Sequence, residues 1–377
     1  VKPQEFLFRV AADPLEEAKA YASSTGRPIV GYACTYAPVE IIYATGALPF
    51  RIPMKSGSGS NLSDRHLQPY CCSFAKGMLD DALSGRLDFL DAMVFPHTCD
   101  TMQRLSDIWR VNQLPGNHID IDLPAVLTTP AARFYAQRVY RNFADILGDH
   151  VGGTVDEERL RNATALYNRV RNRLRFVVNG RQEGRIAASG AQIADILKAA
   201  SVLDPEVFLE GLDAWIRERT VPEPSCGASH RRGVVLSGSQ CAFPDLYRII
   251  EDAGGSVVAD DSCTGMRNTG GAVEENGDPW SNLTAWYLER VPCPAKHRGL
   301  DARSDHLMGL IREFGAAGVL FVHLKFCDPH GFDYPDMKAK LDEAGIPSLR
   351  IEIDEGTIGE GQVSTRIQAF METLSGR

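Results

Sequence analysis

The chain contains no Cys-x-x-Cys pair, which excludes the zinc-ribbon and bacterial-ferredoxin spacings. It has neither a GxGxxG after a strand nor a GxxxxGK[ST], so a nicotinamide or P-loop nucleotide site is not expected. A GxSxG elbow is also missing. No apolar run approaches the ~18 residues that cross a bilayer, so no membrane association is expected. Basic residues are outnumbered. The 40 Lys and Arg against 49 Asp and Glu leave a net charge of −9, which argues against nucleic acid as a partner. The opening VKPQEFLFRV has no secretory pattern, so the sequons at Asn61, Asn162 and Asn282 read as chance. Nine cysteines is an odd number in a chain of 377 residues, which is too large to need disulfides. Free or metal-bound thiols in a reducing cytoplasm fit best.

Composition is otherwise that of a globular protein, with 44% hydrophobic and 24% charged residues. Over residues 1–150, strand-like and helix-like runs alternate. PIVGYA, LPFRIP, DAMVFP and HIDIDLP read as strands. Helices are expected at 38–46, at CSFAKGMLDDALSG, at 100–112 and at 130–147. Residues 54–69 form a Gly/Ser-rich loop. Residues 151–229 read as helical. Leu160, Ala163, Tyr167, Val170, Leu174 and Val177 recur at spacings of three and four, and two shorter helices follow before the Pro-marked stretch VPEPSCGASHRRG. Alternation returns over 230–377, with strands at RGVVLSG, SVVADD, GVLFVHLK and PSLRIEI and helices between, one of them at 335–345. Two α/β parallel-sheet domains joined by a helical segment is the simplest reading.

Six cysteines sit at strand or helix ends. They are Cys34 in GYACTYAPVE, Cys72, Cys99 in PHTCDTM, Cys263 in DDSCTGM, Cys293 in RVPCP and Cys327 in KFCDP. Ligands bind at the carboxyl ends of parallel strands, and soft thiolates from both halves suit iron–sulfur chemistry. Helix N-termini at such junctions are expected to favour thiolate over thiol. Of the adjacent Cys71 and Cys72, at most one is expected to ligate. Cys226 and Cys241 read as uninvolved. His97, Asp100, Asp328 and His330 sit beside cysteines; Asp100 and Asp328 read as caps of the helices that follow, with N–H donation to sulfide, which tunes potential, as the alternative.

At these residues the chain resembles the 2-hydroxyacyl-CoA dehydratase and ATP-dependent benzoyl-CoA reductase family. The resemblance runs through GYACTYAPVEIIYATGALPFRI, CCSFAKGMLDDALSGRLDFLDAMVFPHTCDTMQRLSDIW, LKFCDPHGFDYP and EGQVSTRIQAFMETL. It implies two Rossmann-like domains with an iron–sulfur cluster between them. Cys72, Cys99 and Cys327 match the cysteines common to most branches, which hold a [4Fe–4S] cluster. Cys34, Cys263 and Cys293 look like the additional set of members that carry a double-cubane [8Fe–9S] cluster. The run HTCDTMQRLSDIW is most similar to the smaller cluster-bearing subunit of class I benzoyl-CoA reductases. Those enzymes use reduced ferredoxin to convert an aromatic acyl-CoA to a cyclic dienoyl-CoA. The implied partners are a larger related cluster subunit and ATPase activator subunits with their own [4Fe–4S]. The alternatives are an (R)-2-hydroxyacyl-CoA dehydratase subunit, a homodimeric double-cubane reductase of small molecules, and a metal-free partner whose thiols only pack.

Dearomatisation needs a proton for each electron, in a dry site. Glu40, in the otherwise apolar PVEIIYA, is the candidate for proton supply or for holding the acyl carbonyl, with an exposed helical Glu as the plain alternative. His97, beside Cys99, is a second proton-donor candidate. The arginines of helix 159–175 read either as a CoA-phosphate contact or as a solvated face.

Overall fold

The computed structural model describes residues 3–54, 62–222, 232–239, 245–299, 301–354 and 359–374. Cys226, Cys241, residues 55–61 of the Gly/Ser-rich loop and most of the Pro-marked stretch lie outside the described residues.

Each half of the chain builds an all-parallel sheet of four strands. The first contains β1 (Ile29–Tyr32), β2 (Leu48–Arg51), β3 (Ala92–Pro96) and β4 (Asn117–Ile121), in the order β2-β1-β3-β4. The second contains β5 (Arg232–Gly238), β6 (Gly255–Ser262), β7 (Gly318–Leu324) and β8 (Ser348–Ile353), in the order β6-β5-β7-β8. The two orders are the same pattern. In each, the chain reverses direction of growth beside the first strand, which places a crevice at the carboxyl ends there. Every residue of β1, β3 and β7 is buried. Such continuous apolar runs are the signature of strands covered on both faces. The terminal strands β4 and β8 expose Asp120 and Glu352 in alternation with buried Ile119, Ile121, Ile351 and Ile353.

The first sheet is flanked by α3 (Val39–Ala44), α4 (Ser73–Leu83), α5 (Asp100–Val111) and α6 (Pro130–Val151). The second is flanked by α10 (Leu246–Asp252), α12 (Ala302–Phe314), α13 (Asp328–Glu343) and α14 (Glu360–Thr373). Between the halves run α7 (Glu157–Gln182), α8 (Gly190–Ala199) and α9 (Pro205–Arg219). Asp156 caps α7 by accepting from the Arg159 amide, and Ser189 with Gln192 forms a capping box on α8. Two opening helices, α1 (Pro3–Ala12) and α2 (Pro14–Thr25), have no counterpart in the sequence reading, and α1 packs on α8 and α9. Helix α11 (Pro279–Glu289) lies in the last third of the sequence but packs on α6 and α7, where Trp280, Leu283 and Tyr287 join the core of the first half.

The helical layer closes one edge of each sheet. The Arg51 amide of β2 donates to the Ser201 carbonyl after α8, at 3.0 Å. From α7, Arg181 Nη1 donates to the Val257 carbonyl at 3.0 Å and Gln182 Nε2 to the Val258 carbonyl at 3.1 Å, both on β6. One backbone group of β2 and two of β6 that an open edge would leave unpaired are thereby satisfied.

Helix α13 starts at Asp328, seven residues before the expected start, and Pro335 lies inside it. Proline at that place removes one i→i−4 bond, but the turn that begins at Cys327 is already formed, as Gly331 donates to the Cys327 carbonyl at 2.9 Å.

Inside β7, burial and the nearby Arg350, Arg303 and Arg267 push His323 down to about 3 from its ordinary 6.5. The unfolded chain takes up this proton near pH 6.5 and the folded chain only near pH 3, so between them the unfolded state binds more protons. Stability therefore falls as the pH drops through that window, by a factor of about ten in the folding equilibrium per pH unit. His323→Gln should flatten the dependence by that amount between pH 6 and pH 4, measured by urea unfolding at each pH.

Candidate iron–sulfur site

The six cysteines expected to act together are brought together. Cys34 follows β1, Cys99 follows β3, Cys263 follows β6 and Cys327 follows β7. Cys72, Cys99 and Cys327 are the N-cap residues of α4, α5 and α13. Cys293 follows α11 and pairs with Lys296 in a tight turn. The thiols form one electrostatic network. Cys99 feels Cys72, Cys34 and Cys293; Cys327 feels Cys72, Cys263 and Cys99; and Cys293 feels Cys263 and Cys34. A cavity lined by Cys72, Cys99, Cys293 and Cys327 opens between the two halves, with Phe326 and Phe332 at its rim. Phe326 holds φ at +64°, a left-handed conformation rare for a bulky residue, and so turns the chain into Cys327.

The two expected sets sit against different cores. Cys72, Cys99 and Cys327 pack on the core that contains Ile29, Met93 and Phe95. Cys34 and Cys293 pack on the core that contains Val30, Val94 and Ile119. Because side chains alternate along a strand, these are the two faces of the first sheet. Cys71 is buried in the first of these cores, while its neighbour Cys72 lines the cavity.

The expected thiolate bias is corrected by the structure. Burial pushes Cys72 and Cys327 up, Cys99 up to about 12 and Cys293 up to about 11. The amides of Ala75, Met102 and His330, three residues beyond each N-cap cysteine, pull in the opposite direction and do not prevail. Desolvation of a thiolate thus outweighs the helix dipole. Asp100 and Asp328 are the first helical residues and do not cap, since the cysteines occupy the caps.

Several residues that were not singled out from the sequence hold these loops. Arg290 donates to the Thr35 carbonyl at 2.6 Å and lies over the Tyr36 ring, fixing the Cys34 loop to the end of α11. Lys296 donates to the Leu123 and His97 carbonyls at 2.7 and 3.2 Å, fixing the Cys293 turn to the first sheet. Asp261 accepts from Arg267 Nε, Arg303 Nη1 and Ser237 Oγ, each at 3.0 Å. Burial would raise this carboxyl, but Arg267 and Arg303 outweigh it and hold it well below the usual range. Arg303 also reaches the Pro292 carbonyl at 3.0 Å, beside Cys293. The sequence carried one signal for this group, in the two acids that end the apolar run SVVADD. Buried acids demand cations or donors, and Asp260 on the other face takes the Tyr247 hydroxyl at 2.7 Å.

Glu40 is fully buried. It pairs with Arg171 of α7 and accepts from the Tyr287 hydroxyl at 2.9 Å. Several arginines of α7 are engaged within the chain. Arg175 donates to the Thr269 and Gly271 carbonyls, Arg161 pairs with Glu157, and Arg173 pairs with Asp213. His97 Nε2 stands 2.8 Å from Asp120 Oδ1 and lines a neighbouring cavity rather than the one between the thiols.

Among the described residues, no three His, Cys, Asp or Glu side chains stand close enough to share one metal ion. An iron–sulfur cage is larger than an ion, and its thiolate ligands stand apart around it. Six thiols from four strand ends and two helical junctions, with buried N–H donors among them, fit such a group.

Two parallel sheets that direct cysteines into one crevice define the class, and the comparison with known families agrees. The chain belongs to the family described as 2-hydroxyglutaryl-CoA dehydratase, D-component, whose pattern matches residues 34–374. It is 26% identical to the (R)-2-hydroxyglutaryl-CoA dehydratase β subunit of Acidaminococcus fermentans, over 98% of both chains. It is also 26% identical to the (R)-phenyllactyl-CoA dehydratase β subunit of Clostridium sporogenes, again over 98% of both. Identity to a benzoyl-CoA reductase subunit of Thauera aromatica is 27%, over 88% of this chain and 86% of that one. These relatives are all enzyme subunits by name.

Removing one partner of a buried ion pair leaves the other charge uncompensated. Glu40→Gln should lower unfolding free energy by about 3–5 kcal/mol, read by denaturant titration, and Tyr287→Phe by about 1 kcal/mol.

Proposed function

We propose that this chain is the catalytic iron–sulfur subunit of an ATP-dependent, ferredoxin-driven benzoyl-CoA reductase, which reduces an aromatic acyl-CoA to a cyclic dienoyl-CoA. The observation that carries this reading is the number of thiols in the network. Cys34, Cys263 and Cys293 are coupled to Cys72, Cys99 and Cys327, whereas a single cubane needs only one of these sets. Likeness to a benzoyl-CoA reductase subunit supports it.

In this reading the six cysteines hold the cluster, which when bound supplies electrons at very low potential. Arg290 and Lys296 keep the Cys34 and Cys293 loops in register with the first sheet. The cavity beside four of the thiols admits the acyl group, and Phe326 and Phe332 at its rim limit water. ATP hydrolysis belongs to separate activator subunits, consistent with the lack of a phosphate loop in this sequence. A larger related subunit and ferredoxin complete the assembly.

The rival is an (R)-2-hydroxyacyl-CoA dehydratase subunit. It is favoured by the dehydratase β subunits, which align over nearly the whole length of both chains. Iron content separates the two. Anaerobically purified protein should hold twice the iron of one four-iron cluster, and Cys34→Ser, Cys263→Ser or Cys293→Ser should each remove about half of it. The complex should consume benzoyl-CoA with ATP and a strong reductant. Iron for one cubane, together with dehydration of a 2-hydroxyacyl-CoA and no ring reduction, would establish the rival.

A further inference from the structure

Arg267 is buried in the short 3-10 turn Met266–Asn268 that follows Cys263. A guanidinium carries five N–H groups and accepts nothing. Here all five have an acceptor. Nε donates to Asp261 Oδ1 at 3.0 Å. Nη2 donates to the Asp261 carbonyl at 2.8 Å and to Asp261 Oδ2 at 3.4 Å. Nη1 donates to Cys263 Sγ at 3.3 Å and meets His330 Nε2 at 3.4 Å. Because Arg267 can only donate, His330 Nε2 must accept, and the ring proton lies on Nδ1. That nitrogen stands 3.3 Å from Cys327 Sγ, so the N–H points at the sulfur.

One cation therefore serves two sulfurs, Cys263 directly and Cys327 through a histidine whose tautomer it fixes. The two cysteines end different strands and belong to the two different sets. Asp261 sets the position of the cation, and Arg303 ties the same carboxylate to the Cys293 loop.

We propose that Arg267 and His330 are positioning residues that supply N–H···S bonds to Cys263 and Cys327 and so set the reduction potential of the cluster these thiols hold. The inference rests on the iron–sulfur reading above. Reduction adds negative charge to the sulfurs, and N–H donors with a nearby cation favour the reduced form. Loss of the donors moves the potential to more negative values.

The test is an electron-paramagnetic-resonance redox titration of the anaerobically purified protein, with iron counted for each variant. His330→Leu deletes the relay and leaves the Arg267–Asp261 clamp in place. It should keep its iron, and its reduced-to-oxidised ratio at a given ambient potential should fall at least tenfold, about 59 mV for a one-electron couple. Arg267→Lys keeps the charge but replaces five donors in a planar fork by three on one nitrogen, so it cannot reproduce the three bonds to Asp261 together with those to Cys263 and His330, and it should shift the same way. If Arg267→Lys does not fold, His330→Leu decides the matter. Full iron with wild-type potentials in His330→Leu and Arg267→Lys would overturn this inference alone. A wild-type chain that binds no iron would overturn both it and the iron–sulfur reading.

Discussion

Desolvation governs this molecule. Strands buried on both faces leave no room for polar chemistry along their length, so it is confined to the places where they stop. The same burial pushes Cys72, Cys99 and Cys327 up, against the pull of the helix N-termini that they cap. A metal that binds thiolate would have to displace the thiol protons, which would tie its uptake to pH. The cations beside the thiols, Arg267 above all, lessen that cost without removing it.

The two halves use one local design. The third strand of each sheet ends in a cysteine that caps the next helix, with an aspartate as its first residue, as β3–Cys99–Asp100–α5 and β7–Cys327–Asp328–α13. Around that common unit the halves differ. In the first, Arg290 and Lys296 reach across from the C-terminal half to hold loops. In the second, a single buried carboxylate, Asp261, organises two arginines. The paired architecture brings thiols from both halves to one place.

Much of this was legible in the sequence. Buried strands bounded by Pro, Gly and Cys are local signals, and all eight strands fall where the apolar runs put them. The N-terminal helices α1 and α2 were missed although β1 begins soon after α2, because the partners of α1 are α8 and α9, far along the chain. The start of α13 was misplaced because Pro335 reads as a first-turn proline. Glu40 illustrates what no local pattern carries. Its partner Arg171 lies 131 positions away, in a helix whose arginines read either as a CoA-phosphate contact or as a solvated face. Grouping the cysteines was possible from their matching contexts. Their protonation was not, because it depends on how much chain covers them.

The helical layer that seals β2 and β6 has a consequence for assembly. Sheet extension by another chain is hindered on that side of both sheets, where edge groups already bond to the helical layer. Only β4 and β8 remain as outer strands, and they carry Asp120, Arg350 and Glu352 among their isoleucines. Charges along an outer strand discourage edge-to-edge pairing. Any association with another chain would thus fall to helical and loop surfaces, away from strand addition.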